Sequence, residues 1–394
     1  MKVLMLFNDY LEHGGERNSV SAEATALITH GVNVELMTVT NEQLVGAPTT
    51  QKVRETFPNR VMRSSIADAI DNFKPDVVHA QNLFPRIGAS GIDALRHSNT
   101  PWVRTIRNYR KGCIAGTYTR NGVECLECQS VCGRLPGIVH SCYRDSRAQS
   151  IGATAYSLWD NLAERRHPPS FYICISDAAH RRIESNLHPS VPVQIVHNAV
   201  VNHASVPYTS MCERQFDACY VGRLTHEKGV SLFLEVAKQN SDLKFAIAGT
   251  GELRPDVEAA AKSTSNLVDL GLVDNAAALG VMANSRFTLV PSQWDEPFGR
   301  VAAEAMSVGS LPLVSDRGGL PEVVSTMEYA AVVGSGGFRR WAGAVSALAA
   351  TPKPELEKYS VAAMDSWRSR FSAESVSTAL ISVYERSVLP ARKE

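Results

Sequence analysis

The sequence has no surplus of either charge, no long apolar run and few cysteines outside one short segment, and each shortage closes a class of function. Forty Lys and Arg stand against 40 Asp and Glu, so the chain as a whole has no electrostatic reason to seek nucleic acid. No window approaches the roughly 18 uninterrupted apolar residues of a membrane-spanning helix, although attachment to a bilayer surface stays open. The opening run Met1-Lys2-Val-Leu-Met-Leu-Phe7 turns polar at Asn8-Asp9, too soon for a signal peptide. The expected location is therefore cytoplasmic, with peripheral contact at the inner face of the membrane left open. There is no repeat of solenoid period and no low-complexity tract. No complete G-x-G-x-x-G follows a strand with an acid about 20 residues on, which argues against an NAD dehydrogenase.

What is present is an ordinary globular composition, 44% hydrophobic and 20% charged, in a chain long enough for two cores. Short runs rich in Val, Ile and Leu alternate with segments of helical period, the pattern of parallel strands joined by crossover helices. Strands are expected near 2–7, 33–39, 76–79, 101–106, 171–175 and 193–196, with helices over 19–29 and 63–72 and a long one after Cys142. The pattern restarts with strands near 217–221, 244–248, 267–270, 287–290 and 311–314. The fold class is α/β: two doubly wound domains, 1–200 and 212–372, divided by a hinge near 198–212 where both periodicities break. A last helix over 373–388 places Leu380, Ile381, Val383 and Tyr384 on one apolar stripe, and the first domain is a candidate for what that stripe covers.

In open parallel sheets ligands sit beyond the carboxyl ends of the strands, which makes glycines and charges placed there informative. Three such segments stand out. His13-Gly14-Gly15-Glu16 follows the first strand, and adjacent glycines let backbone approach a bulky ligand; a plain strand-to-helix turn reads the same way. Gly222-Arg-Leu-Thr-His-Glu-Lys228-Gly229 places Arg223 and Lys228 after the first strand of the second domain, a clamp suited to a diphosphate leaving group or else a solvated charge run. Glu296-Pro-Phe-Gly-Arg-Val-Ala-Ala-Glu304 opens a helix; if 298–308 is helical, Arg300, Glu304 and Val308 share a face and the first amides lie open to phosphate, and a surface helix with an acidic N-terminus reads the same way.

In order, these segments, with Gly249-Thr-Gly251-Glu-Leu253, Gly271-Leu-Val, Pro291-Ser292 and Gly318-Gly-Leu-Pro-Glu322, resemble family 4 of the retaining glycosyltransferases. The likeness is dense from 217 to 325 and thin between 40 and 195. It implies the GT-B fold, two facing Rossmann-like domains with a cleft between them and a C-terminal helix packing back on the first. It implies transfer of a hexosyl or related unit from a nucleotide-diphosphate sugar to a hydroxyl acceptor with retention, and no metal in the chemistry. By position, Arg223 and Lys228 would hold the diphosphate and Glu304 the ribose. Glu296, with the backbone at Phe298 and Gly299, would hold the sugar. The amides of Arg300 and Val301 would lie near phosphate, Leu272 and Val273 at the base, and Gly14 and Gly15 near the phosphates from the first domain. Bacterial polysaccharide, glycolipid or secondary-metabolite synthesis would be the setting. A nucleotide-sugar epimerase or phosphorylase on the same fold, or a silent sugar-binding subunit, are the alternatives.

One departure is a Thr-Ile-Arg stretch, Thr105-Ile106-Arg107, where many relatives carry His. A guanidinium is no base at neutral pH, so Arg107 would neutralise an anionic donor or a phosphate; a buried ion pair is the other reading. A second departure is a cysteine-bearing insertion over 107–145. Cys113, Cys125, Cys128 and Cys142 could make a structural zinc site, with Cys132 or His140 as substitutes, or remain reduced thiols. A similar pattern belongs to a subset of bacterial polysaccharide enzymes. Residues 101–150 carry eight Arg and Lys against three acids. With Tyr109, Tyr118, Tyr143 and Trp159 they could receive a lipid-linked acceptor at a membrane, or form a solvated face.

Overall fold

The structure, a computed structural model, describes residues 1–9, 15–57, 59–130, 133–201, 206–334 and 337–389. It divides into two compact units. The first comprises Met1–Arg120, Glu124–Ala199 and Ala373–Glu394, and the second Val200–Ser372 with Asn121–Val123.

The first unit is built on six parallel strands, β1 (Lys2–Asn8), β2 (Asn33–Val39), β3 (Val77–Ala80), β4 (Trp102–Ile106), β7 (Phe171–Cys174) and β8 (Val193–Ile195), in the order β2-β1-β3-β4-β7-β8. Between β4 and β7 lies the two-stranded hairpin β5 (Thr119–Arg120) and β6 (Val123–Glu124). Val3, Met5 and Phe7 of β1 point to one face of the sheet and Leu4 and Leu6 to the other, as the two-residue period of a strand requires. Each set is covered. The odd-numbered face packs on Val20, Ala24 and Leu27 of the helix Gly15–Thr29 and on Val376, Leu380, Val383 and Tyr384 of the helix Ala373–Val388. The even-numbered face packs on Met62, Ile66 and Ile70 of the helix Arg60–Phe73 and on Ile92 and Leu95 of the helix Gly88–Ser98. A fully buried Leu, Ile or Val contributes about 1.5–3 kcal/mol. Burial on both faces is therefore why β1 reads as a continuous apolar run.

The second unit repeats the plan with β9 (Phe216–Val221), β10 (Phe245–Ala248), β11 (Leu267–Asp269), β12 (Ser285–Val290), β13 (Leu311–Ser315) and β14 (Val332–Val333), in the order β11-β10-β9-β12-β13-β14. All pairings are parallel. Asp274 caps the helix Asn275–Ala283, its side chain accepting from the Ala277 amide at 2.8 Å. Asn59 does the same for Arg60–Phe73 through the Met62 amide at 2.9 Å. Such caps satisfy amides that the helix cannot.

The helix expected over 19–29 starts four residues earlier, at Gly15. The long helix after Cys142 spans Arg147–Arg166, opened by Ser146, which accepts from the Gln149 amide. The helix carrying Glu304 runs over Arg300–Ser307, so Val308, expected on its face, lies just past its end and is buried. Among the described residues no helix is long and apolar enough to cross a membrane.

Candidate functional site

In the second unit, the glycine-bearing loops follow the carboxyl ends of the strands and lock one another in place. Gly229 has φ +76°, and a Cβ there would stand 1.9 Å from the Pro291 carbonyl oxygen, so the loop after β9 lies directly on the loop after β12. The Gln293 amide donates across the same seam to Glu227 O at 2.8 Å. A Cβ on Gly318, at φ +56°, would meet Glu296 O at 2.2 Å, and the Gly319 amide donates to that same oxygen at 2.8 Å. The Glu296 backbone is therefore held from the β13 side as well. These approaches are open only to glycine.

This bracing brings Lys228 and Glu296 together. Lys228 Nζ lies 2.6 Å from Glu296 Oε1, Ser292 Oγ donates to that oxygen at 2.6 Å, and the ammonium sits 5.1 Å from the centre of the Trp294 ring. Burial works to raise the Glu296 pKa. The Lys228 charge and hydrogen bonds from Lys228, Ser292 and Trp294 outweigh it and hold the carboxyl below its usual value. Glu296 is thus an anion at neutral pH, able to accept hydrogen bonds and unable to donate a proton.

The other expected donor residues are spread over the same unit. Arg223 is exposed, 3.6 Å from Glu227. Arg300 pairs with Glu304 one turn on, Nη2 to Oε1 at 2.8 Å, so the proposed ribose ligand is already charge-paired within its own helix. Phe298 is buried with its ring 5.5 Å from that of Phe371, and Val301 packs on the core. Gly299 has φ +112° and precedes the helix. Leu272 is 75% exposed and Val273 half-buried. Of the first-domain glycines, Gly15 is exposed as the first residue of its helix, and Gly14 and His13 lie outside the described residues.

In the first unit Arg107 is buried in an ion pair, the second of its two sequence readings. Its Nη2 lies 2.7 Å from both oxygens of Glu23 and donates to Gln81 Oε1 at 2.7 Å, while Nη1 donates to Asn198 Oδ1. Gln81 Nε2 in turn donates to Glu23 at 3.0 Å. His79 extends the network: Nδ1 is 2.7 Å from the Tyr384 hydroxyl and Nε2 2.7 Å from Thr105 Oγ1. Burial, assisted by the Arg107 charge, pushes the His79 pKa down to about 3. Beside this network a pocket is lined by Glu16, Asn82, Arg107, Asn108, Arg110 and Lys111 among others. On its floor Arg104 and Lys111 pair with Asp160, at 3.0 and 3.1 Å, and with Glu164. The Glu16 carboxyl has its pKa raised, burial outweighing the attraction of Arg107 and Arg110.

Sequence reasoning missed Glu23, Asp160 and Glu164, and a signal was available. Glu23 falls between Val20, Ala24 and Leu27 on the buried stripe of its helix, and an acid at such a position needs a buried cation. Tyr109 and Tyr118, grouped above with a membrane-facing surface, are core residues at 1% and 2% exposure, their rings 5.4 Å apart. Aromatic apolar area won over surface placement. The cysteines influence one another, for burial and neighbouring thiols raise the pKa of Cys128 and of Cys142. Yet among the described residues no three His, Cys, Asp or Glu side chains form a metal set. Cys132, the expected substitute for one of Cys113, Cys125, Cys128 and Cys142, lies outside the described residues.

Comparison with known proteins adds to this geometry. Residues 211–360 match the family described as Glycosyl transferases group 1. An uncharacterised 42.6 kDa protein in the cps region of Klebsiella pneumoniae is 28% identical over a match covering 69% of this chain and 63% of that protein. The chain thus spans less than two thirds of that relative's length. Among solved structures, sucrose-phosphate synthase from Thermosynechococcus elongatus is similar with a TM-score of 0.69 at 16% identity, covering 98% of this chain and 99% of the other. Anabaena HepE in complex with UDP gives 0.65 at 14% identity, covering 98% and 100%. At these identities the likeness shows the fold: two Rossmann-like parallel-sheet domains of the GT-B kind.

Proposed function

We propose that this chain, which carries a glycosyl transferases group 1 domain at residues 211–360, is a retaining glycosyltransferase. It moves a hexosyl or related unit from a nucleotide-diphosphate sugar to a hydroxyl acceptor, without a divalent metal in the chemistry. The observation that carries the reading is the Lys228–Glu296 pair, a cation and an ionised carboxylate 2.6 Å apart in loops at the carboxyl end of a parallel sheet. A diphosphate arriving there competes with Glu296 for the ammonium, and the freed carboxylate accepts from the sugar hydroxyls. Lys228 and the exposed Arg223 then meet the charge that develops on the leaving diphosphate, the role that favours cations over a metal. The amides of Arg300 and Val301 at the helix start add a partial positive charge on the same group.

Glu304 takes the ribose hydroxyls, and Leu272 and Val273 lie along the base. In the transfer, the bond from the anomeric carbon to the diphosphate oxygen breaks as the acceptor oxygen bonds to the same face. The acceptor proton passes to the departing diphosphate. The acceptor is a lipid-linked sugar or a small hydroxyl-bearing molecule, in polysaccharide, glycolipid or secondary-metabolite synthesis. The neighbour HepE was solved in complex with UDP, which makes uridine diphosphate sugars the first donors to try.

The test is a thermal-shift screen of UDP, ADP, GDP and dTDP sugars, followed by transfer assays with the stabilising donor. One nucleotide class should raise the melting temperature above the others. Lys228→Ala and Glu304→Ala should each lower turnover by about 100-fold or more, the scale of losing a charge-stabilising group. Full activity in both variants would overturn the reading.

A further inference from the structure

The helix Arg147–Arg166 is amphipathic in reverse. Its two acids, Asp160 and Glu164, point inward and are buried in ion pairs with Arg104 and Lys111. Outward, at helical spacing, run Arg147, Ile151, Ala155, Leu158, Leu162, Arg165 and Arg166, all exposed. Ile151, Leu158 and Leu162 are 51%, 59% and 45% exposed. The outer face thus carries an apolar stripe ended at both sides by arginine, and no carboxylate.

Beside the stripe the surface dips into a depression lined by Leu162 and the half-buried Trp159 together with Arg60, Arg63, Arg96 and Arg166. One carboxylate, Asp93, answers these four guanidinium groups, pairing with Arg63 at 3.0 Å. Val61, on the first turn of the helix that presents Arg60 and Arg63, is 72% exposed.

We infer that this face docks on an anionic phospholipid surface. Ile151, Leu158 and Leu162 enter the boundary between headgroups and acyl chains while the arginines of the rim and the depression take up lipid phosphates. Charge complementarity selects the occupant. An apolar stripe alone would suit a second copy of the chain or another protein, but a rim of cations repels its own copy and matches a phosphate-bearing plane. The inference does not rest on sugar transfer, and its test reads binding alone.

The purified full chain is co-sedimented with vesicles of phosphatidylcholine and with vesicles containing about one third phosphatidylglycerol. Partition onto the anionic vesicles should be at least about tenfold stronger and should fall as sodium chloride approaches about 0.5 M, where screening is short-ranged. Leu158→Gln with Leu162→Gln, and separately Arg96→Gln with Arg166→Gln, should each weaken partition about tenfold with melting temperature unchanged, since all four side chains are exposed. Val361→Gln, an exposed apolar position in the second unit at 46%, should leave it unchanged. Equal partition onto both vesicle types, unaltered binding by the two double variants, or a dimer in solution that Leu158→Gln with Leu162→Gln dissociates would each overturn the inference.

Discussion

Arg107 and Glu23 form the kind of pair whose loss from one side costs more than its presence gains, because the partner is left charged in a dry site. Arg107→Met should therefore destabilise the chain by about 3–5 kcal/mol in urea unfolding, and adding Glu23→Met should recover most of that. A variant that kept its stability and lost only turnover would instead place Arg107 on the substrate. His79 adds a pH dependence of definite sign. Its pKa is about 3 in the fold against 6.5 in an unfolded chain, so below pH 6.5 the unfolded state binds a proton that the folded state refuses. Stability then falls as pH drops, by about 1.3 kcal/mol from pH 7 to 5.5. Glu16, whose carboxyl is raised, works the other way, so the difference between wild type and His79→Gln across that window isolates the imidazole. At this scale the sequence was legible where chemistry and position coincide, as for Lys228 and Glu296. It was silent on the partner of Arg107, because Glu23 is 84 positions away and only the sheet brings them together.

Between residue and domain, the loops at strand ends carry the design. Gly318→Ala would force a left-handed conformation on a residue with a Cβ and press that Cβ against the Glu296 backbone, which has no flexible end to yield. A loss of about 2–4 kcal/mol is expected. The affinity for whichever nucleotide sugar stabilises the wild type should fall with it, read by the same thermal-shift titration; normal affinity would mean the Glu296 loop is not part of the donor site. The sequence announced these glycines by their spacing after apolar runs, and the buried parallel strands by their unbroken Val, Ile and Leu content. It did not announce β14, because two residues, Val332 and Val333, cannot show a period. The cysteine-bearing insertion was the least legible part. There, turns and short 3₁₀ segments dominate, and residues such as Tyr118, Asn121 and Ser141 adopt positive φ that no side-chain pattern foretells.

The first unit is made of separated pieces of the chain, with nearly all of the second unit lying between them in sequence. The helix Ala373–Val388 supplies Val376, Leu380, Val383 and Tyr384 to the core that β1 begins, and Tyr384 completes the hydrogen bonding of His79. Residues 1–199 alone should accordingly bind a hydrophobic dye and unfold without a sharp transition, and a peptide covering 373–389 should restore cooperative melting when added in excess. Sharp melting of 1–199 without the peptide would show that the helix is dispensable to that core. During synthesis this arrangement sets a schedule. At about 5–20 residues per second, the ribosome needs roughly 10–35 seconds to pass from the end of β8 and its following loop to the returning helix. For that interval one flank of the nascent first sheet is uncovered, so the cell's chaperones meet an incomplete domain each time the chain is made.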